Sequence, residues 1–124
     1  MTGLRILLVE DDLLIGQLVG EMLEEMGHEI SAIVTTEAAA IDAAAEYSPD
    51  LMIVDARLGD GSGITAVETI LTTGFIPHIF VSGNIAKVRQ ARPDAILLEK
   101  PFREAELAIA IARAMPRDPT RIIS

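Results

Sequence analysis

Residues 4–27 read LRILLVEDDLLIGQLVGEMLEEMG: an apolar run, three consecutive acids, then apolar residues at helical spacing up to a glycine. Ile6 to Val9 predicts a buried strand. Leu13-Leu14-Ile15, Leu18-Val19 and Met22-Leu23, at i, i+3, i+4 spacing, predict a helix that stops at Gly27. The turn between them is Glu10-Asp11-Asp12. The same arrangement returns later: Leu51-Met52-Ile53-Val54 meets Asp55, Ile76 to Val81 meets Ser82, and Ala95-Ile96-Leu97-Leu98 reaches Glu99-Lys100. If these runs are neighbouring parallel strands, carboxylates, a hydroxyl and an ammonium gather at one sheet edge, because ligand sites in open α/β sheets lie beyond the carboxyl ends of strands.

The intervening segments supply the rest of the alternation. Ile30, Ala32 and Val34 predict a second strand, and Thr35 or Thr36 caps a helix from Glu37 to about Tyr47, which Pro49 stops. The loop Gly59-Asp60-Gly61-Ser62-Gly63 precedes a helix carrying Ile64, Val67, Ile70 and Leu71, and a turn with several positive-φ positions accounts for its glycines. The fourth strand is placed at about His78 to Val81, a short, weakly amphipathic piece at Ile85 to Ala91, and the fifth strand at Ala95 to Leu98. A last helix carries Leu107, Ala108, Ile111, Ala112 and Met115 and ends at Pro116. Five strands alternating with helices predict an α/β fold, a doubly wound parallel sheet with right-handed crossovers and helices on both faces. Half the residues are hydrophobic but only 3% aromatic, so the core is aliphatic. The expected organisation is one domain over residues 1–116 and a short tail, 117–124, whose Ile122-Ile123 either docks on a partner or hangs free.

Composition narrows the function. Ten basic against 19 acidic side chains give a net charge of −9, which repels a phosphate backbone, so direct nucleic-acid binding is not expected. The absence of cysteine excludes disulfides, thiolate nucleophiles and thiolate metal sites, and it fits the reducing cytoplasm. No signal-peptide pattern precedes the first strand, and the apolar runs fall far short of the roughly 20 residues that span a bilayer. A soluble cytoplasmic protein without membrane insertion is the expectation.

Glu10, Asp11 and Asp55 together would place roughly three negative charges at the sheet edge, a repulsion relieved by a hard cation. Oxygen donors without His or Cys suit Mg²⁺, which keeps waters and accepts phosphoryl oxygens. Lys100 would offset charge on a transferring phosphoryl group and Ser82 would donate to one of its oxygens. Asp55 is then the nucleophile and an aspartyl phosphate the product.

At these residues the sequence resembles the receiver domains of two-component response regulators, from Arg5 to Met115, in the manner of single-domain chemotaxis regulators. The family's acidic pair matches Glu10 and Asp11, its phosphoacceptor Asp55, its Ser or Thr after strand four Ser82, and its Lys-Pro Lys100-Pro101. The resemblance implies a flavodoxin-like sheet of order 2-1-3-4-5 and Mg²⁺ held by Asp11, Asp55 and the backbone carbonyl of Arg57, with Glu10 acting through water. It also implies a cis bond before Pro101, a loop glycine at Gly63, and a histidine kinase or histidine phosphotransfer protein as phosphodonor. A downstream protein partner follows from the same resemblance, and a homodimer stays open. Asp12 is assigned to the helix start, where acids are favoured. The implied role is regulatory rather than enzymatic, with signalling by partner binding or phosphorelay.

Departures from the family are equally specific. Ser82 and Lys100 lie only 18 positions apart, so helix four is expected to be short or irregular. Leu97 stands where the family usually has Tyr or Phe, which excludes an aromatic rotamer switch. Phe80-Val81-Ser82-Gly83 is similar to the Phe-Ala-Thr-Gly signature of a stand-alone receiver subclass.

Competing readings are defined by the same residues. Glu10-Asp11-Asp12 alone is a solvated helix start, and Glu21, Glu24 and Glu25 are a solvated face. Phe102 reads as core under the last helix, and His28 and His78 lack metal-pair spacing and read as structural. The glycine loop lacks the Gly-x-Gly-x-x-Gly spacing of a dinucleotide site. Two functional alternatives remain: a metal-dependent phosphate-ester hydrolase using Asp55, and a pseudo-receiver that binds a partner without phosphorylation. Haloacid-dehalogenase-type phosphatases resemble Asp-x-Asp after strand one, whereas Asp55 follows a later strand and has Arg57 in the second position.

Overall fold

The computed structural model describes residues 3–116 of the 124; the expected tail at 117–124, with Ile122-Ile123, lies outside the described residues. In chain order the elements are β1 (Arg5–Val9), α1 (Leu13–Glu25), β2 (Glu29–Val34), α2 (Glu37–Tyr47), β3 (Leu51–Asp55), β4 (Arg57–Leu58), β5 (Gly61–Ser62), α3 (Gly63–Leu71), β6 (His78–Ser82), α4 (Ile85–Ala91), β7 (Ile96–Glu99) and α5 (Glu104–Ala114). Five strands form one sheet of order β2-β1-β3-β6-β7, with every pairing parallel. This is the expected flavodoxin-like 2-1-3-4-5 order, with β4 and β5 set aside as a separate antiparallel hairpin.

Alternation of side chains along each strand divides the core into two layers. Leu7, Val9, Met52, Val54 and Phe80 pack on the side of α2, α3 and α4, with Ala40, Ala44, Val67, Ile70 and Val88. Ile6, Leu8, Ile53, Ile79 and Val81 face the other way, onto Leu23 of α1 and Leu107 and Ile111 of α5. The register levels the strand ends: Val9 pairs with Val54, Asp55 with Val81, and Ser82 with Glu99. Glu10, Asp55, Ser82 and Lys100 therefore emerge from the same edge.

Helix α1 forms where its spacing indicates but buries an unexpected face. Asp12 caps it, Oδ1 accepting from the backbone N–H groups of Leu14 and Ile15, and Gly27 beyond its end has φ +96°, which a glycine tolerates. The buried residues are Gly16, Gly20 and Leu23, while Leu13, Leu14, Ile15 and Leu18 are 39–64% exposed. The glycines decide this. A Cβ at position 16 would lie 2.8 Å from Cγ2 of Ile33, so the helix backbone sits closer to β2 than any larger residue would permit.

Elsewhere the structure adjusts individual expectations. Thr36 is the cap of α2, accepting from Ala39, and Ser48 ends that helix in the left-handed region before Pro49. Within Gly59–Gly63, only Gly59 has positive φ, at +58°. The expected run of positive-φ positions is thus incorrect, and Gly61 and Gly63 serve close approach instead. A Cβ on Gly63 would lie 1.9 Å from the carbonyl oxygen of Asp55. Helix α4 has only seven residues, in keeping with the short spacing between Ser82 and Lys100, and β7 runs one position later than expected, from Ile96 to Glu99. Among the described residues, no helix is long and apolar enough to cross a membrane.

Candidate functional site

Glu10 continues β1 and Asp55 ends β3; both are buried, at 8% exposure, so their charges need partners. Lys100 supplies one to each. Its Nζ donates to Asp55 Oδ2 at 2.7 Å and to Glu10 Oε1 at 3.0 Å. The lysine is brought there by the β6–β7 ladder, which extends through its backbone N–H to the carbonyl of Ser82 at 2.9 Å; the next peptide bond, to Pro101, is cis, as the resemblance implies.

The remaining carboxylate oxygens are held by main chain. Glu10 Oε2 accepts from the N–H of Asp12 at 3.1 Å, Asp55 Oδ1 from Arg57 at 3.1 Å, and Asp11 Oδ2 from Gly59 at 3.0 Å. Carboxylate oxygens of Glu10, Asp11 and Asp55 lie within 4.8 Å of one another, with Asp11 exposed. Burial raises the pKa of Glu10, and the N–H of Asp12 and the ammonium of Lys100 only partly counter it. Burial pulls Lys100 down, but hydrogen bonds to Asp55 and Glu10 outweigh it and the net shift is upward, keeping the ammonium charged.

Ser82 lines the same groove. Its Oγ accepts from the N–H of Asn84 at 2.9 Å, which leaves the hydroxyl proton free to donate, and Asn84 in turn caps α4 through Lys87. The groove has a volume of about 1110 Å³ and lies between the hairpin and α4; Asp11, Asp55, Arg57, Ser82, Lys87 and Lys100 border it. All the sequence-derived site residues thus meet at one sheet edge. Oxygen donors alone, with one ammonium beside them, fit a hard divalent cation and a phosphoryl oxygen better than a soft metal.

The secondary expectations find clear places. Phe102 packs against the α1–α5 layer, and half-buried Leu97 packs on the opposite layer. His28 Nδ1 accepts from the N–H of Leu4 at 3.1 Å, and buried His78 places Nδ1 2.8 Å from the carbonyl of Ile76. Both histidines are structural. Glu21, Glu24 and Glu25 are exposed.

Two features were not anticipated. The hairpin β4–β5 is too short to be visible as a strand pattern. The apolar face of α1 was the other: Ile15, Leu18, Val19 and Met22 line a groove of about 420 Å³ with Pro101 and Phe102, next to Lys100. Its signal was the pair Gly16 and Gly20, one helical turn apart, which marks the face that packs closely and so releases the leucines to the surface.

A family model described as response regulator receiver domain matches residues 6–112. The phyllosphere-induced regulator PhyR of Methylorubrum extorquens is 33% identical over 115 residues, which are 90% of this chain and 43% of PhyR. The receiver domain of Erythrobacter litoralis PhyR, solved by NMR in solution, superposes with a TM-score of 0.82 at 31% identity, covering 95% of this chain and 98% of that domain. The crystal structure of the anti-anti-sigma factor PhyR of Bartonella quintana gives 0.83 at 28% identity, covering 92% of this chain and 48% of the other. The chain therefore spans less than half the length of that curated relative and nearly all of the isolated receiver domain.

Proposed function

This chain belongs to the response regulator receiver domain family, and on that premise we propose that Asp55 accepts a phosphoryl group from a phosphohistidine of a sensor kinase or phosphotransfer protein. The observation that carries the reading is the double hydrogen bond of Lys100 to Asp55 and Glu10 beside the exposed carboxylate of Asp11. A carboxylate oxygen of Asp55 forms the O–P bond as the N–P bond of the donor breaks and the imidazole leaves. Lys100 turns from the carboxylate to a phosphoryl oxygen, and the hydroxyl of Ser82 donates to another. Asp11, Asp55 and the backbone carbonyl of Arg57 would hold Mg²⁺, with Glu10 reaching it through water, as the family resemblance implies. When bound, that ion neutralises charge on the phosphoryl oxygens.

A phosphohistidine must approach Asp55 from outside the sheet edge, so the transfer complex covers the surface beside it. The exposed Leu13, Leu14, Ile15 and Leu18 supply an apolar contact there, which suits a helical donor protein rather than a free small molecule. Phosphorylation adds charge beside Ser82 and Lys100, and the shift passes to the loops after β3 and β6 and to α5, changing affinity for a downstream protein. The receiver domain occupies residues 1–116 and acts in the cytoplasm as a regulatory phosphoacceptor and not as an enzyme.

The test is labelling of the full chain by acetyl phosphate with Mg²⁺. Asp55→Asn should abolish an acid-stable, alkali-labile label and leave the circular dichroism spectrum unchanged. Label surviving in this variant rules out Asp55 as the acceptor, and sustained phosphate release beyond one phosphoryl per chain would favour a hydrolase.

A further inference from the structure

The β4–β5 hairpin has only two residues in each strand, too few to hold itself in place. Polar anchors fix it to the molecule. The N–H of Arg57 donates to Asp55 Oδ1, the N–H of Gly59 to Asp11 Oδ2, and the N–H of Ser62 to Glu37 Oε1. The first two acceptors belong to the acidic cluster, and a cation entering that cluster would compete with the hairpin for the same oxygens. Glu37 does not belong to it. This residue opens α2, in a different part of the chain, and is half-buried against the hairpin.

The approach of Glu37 is built into the sequence of the hairpin. A Cβ on Gly61 would lie 3.1 Å from both Cγ and Oε1 of Glu37 and 3.3 Å from Cδ, closer than an ordinary van der Waals contact. Gly61 thus gives the carboxylate its seat beside the N–H of Ser62. Ser62 is paired across the hairpin with Arg57. A line of links runs from Glu37 through Ser62 to Arg57, the residue whose main-chain carbonyl would complete the cation site.

We propose that Glu37 is a positioning residue: its carboxylate clamps the hairpin from α2 and presets the carbonyl of Arg57 for the cation, an inference that rests on the phosphoacceptor reading above. The hydrogen bond from Ser62 to Glu37 involves none of the site carboxylates and is left in place when they turn to the ion. Without it, the hairpin must be ordered at the moment of cation binding, and affinity falls.

The experiment follows backbone amide shifts of the full chain during titration with Mg²⁺ alone, beside the rate of acetyl phosphate labelling at each Mg²⁺ concentration. Glu37→Ala should weaken Mg²⁺ binding about tenfold, the usual effect of removing a partner that orients a metal site from outside its ligands. The labelling rate at saturating Mg²⁺ should stay within about twofold, since the loss concerns binding rather than the transfer step. Glu37→Gln, whose amide oxygen also accepts from Ser62, should restore the affinity to within about twofold. Gly61→Ala, which displaces the carboxylate by sterics, should reproduce the weakened binding and provides the test if Glu37→Ala does not fold. Unchanged Mg²⁺ affinity in Glu37→Ala or Gly61→Ala overturns the clamp. So does a Gln variant as weak as Ala, which would assign the effect to the charge of Glu37 acting through space. A parent chain that shows no Mg²⁺-dependent shifts around Asp55 would instead overturn the phosphoacceptor reading itself.

Discussion

His78 shows how one buried side chain outside the site sets a stability limit. It starts β6 with its ring edge-on to Phe80, centroids 5.4 Å apart, and tilted to Phe75 at 5.9 Å; Arg92 lies over the Phe80 ring. Burial lowers its pKa below the ordinary 6.5, the Ile76 carbonyl opposes that shift, and the charge of Arg92 adds to it. The folded form therefore holds a neutral imidazole where the unfolded chain takes up a proton. Its contribution to stability is complete above about pH 6.5 and is lost as pH falls from there through the lower folded value. Urea midpoints measured between pH 8 and pH 5 should decline in the parent more steeply than in His78→Phe. Parallel declines would mean that His78 titrates alike in both states. Lys100 carries the opposite balance: two carboxylates within hydrogen-bond reach outweigh its burial. The two residues illustrate that burial and partners compete, and that geometry decides which wins.

Helix α1 separates two quantities that apolar residues usually combine. Its glycine face sets how tightly the helix packs on β2, and its leucine face is left exposed. Gly16→Val places new atoms against Ile33 and should destabilise the protein by about 1–3 kcal/mol in chemical denaturation, the usual result of overpacking. Leu14→Ser, at 64% exposure, should change stability by less than about 0.5 kcal/mol. The same variant should slow phosphoryl transfer from a protein donor while leaving labelling by acetyl phosphate unaltered. Equal slowing with both donors would place Leu14 in the chemistry instead of the contact. The hairpin, with two residues in each strand, and α4, with seven, stand on either side of the groove.

For the whole molecule, a cation that binds only the folded chain must raise its stability by mass action. Mg²⁺ at a hundred times its dissociation constant should add about 2.7 kcal/mol, read as an upward shift of the thermal midpoint that Asp11→Asn removes. An equal shift in that variant would place the cation elsewhere. The sequence alone determined the alternation of five strands with helices, the strand order through family resemblance, and the acids, hydroxyl and lysine at the strand ends. Apolar period, helix caps such as Asp12 and Thr36, and the stops at Gly27 and Pro49 are local properties, and local properties are written in consecutive residues. Tertiary structure decided which face of α1 is buried, why Gly61 and Gly63 are glycines, and how Glu37 reaches Ser62. Each of these depends on how closely two segments distant in the chain approach one another, a distance set by packing across the sheet and carried by neither segment alone.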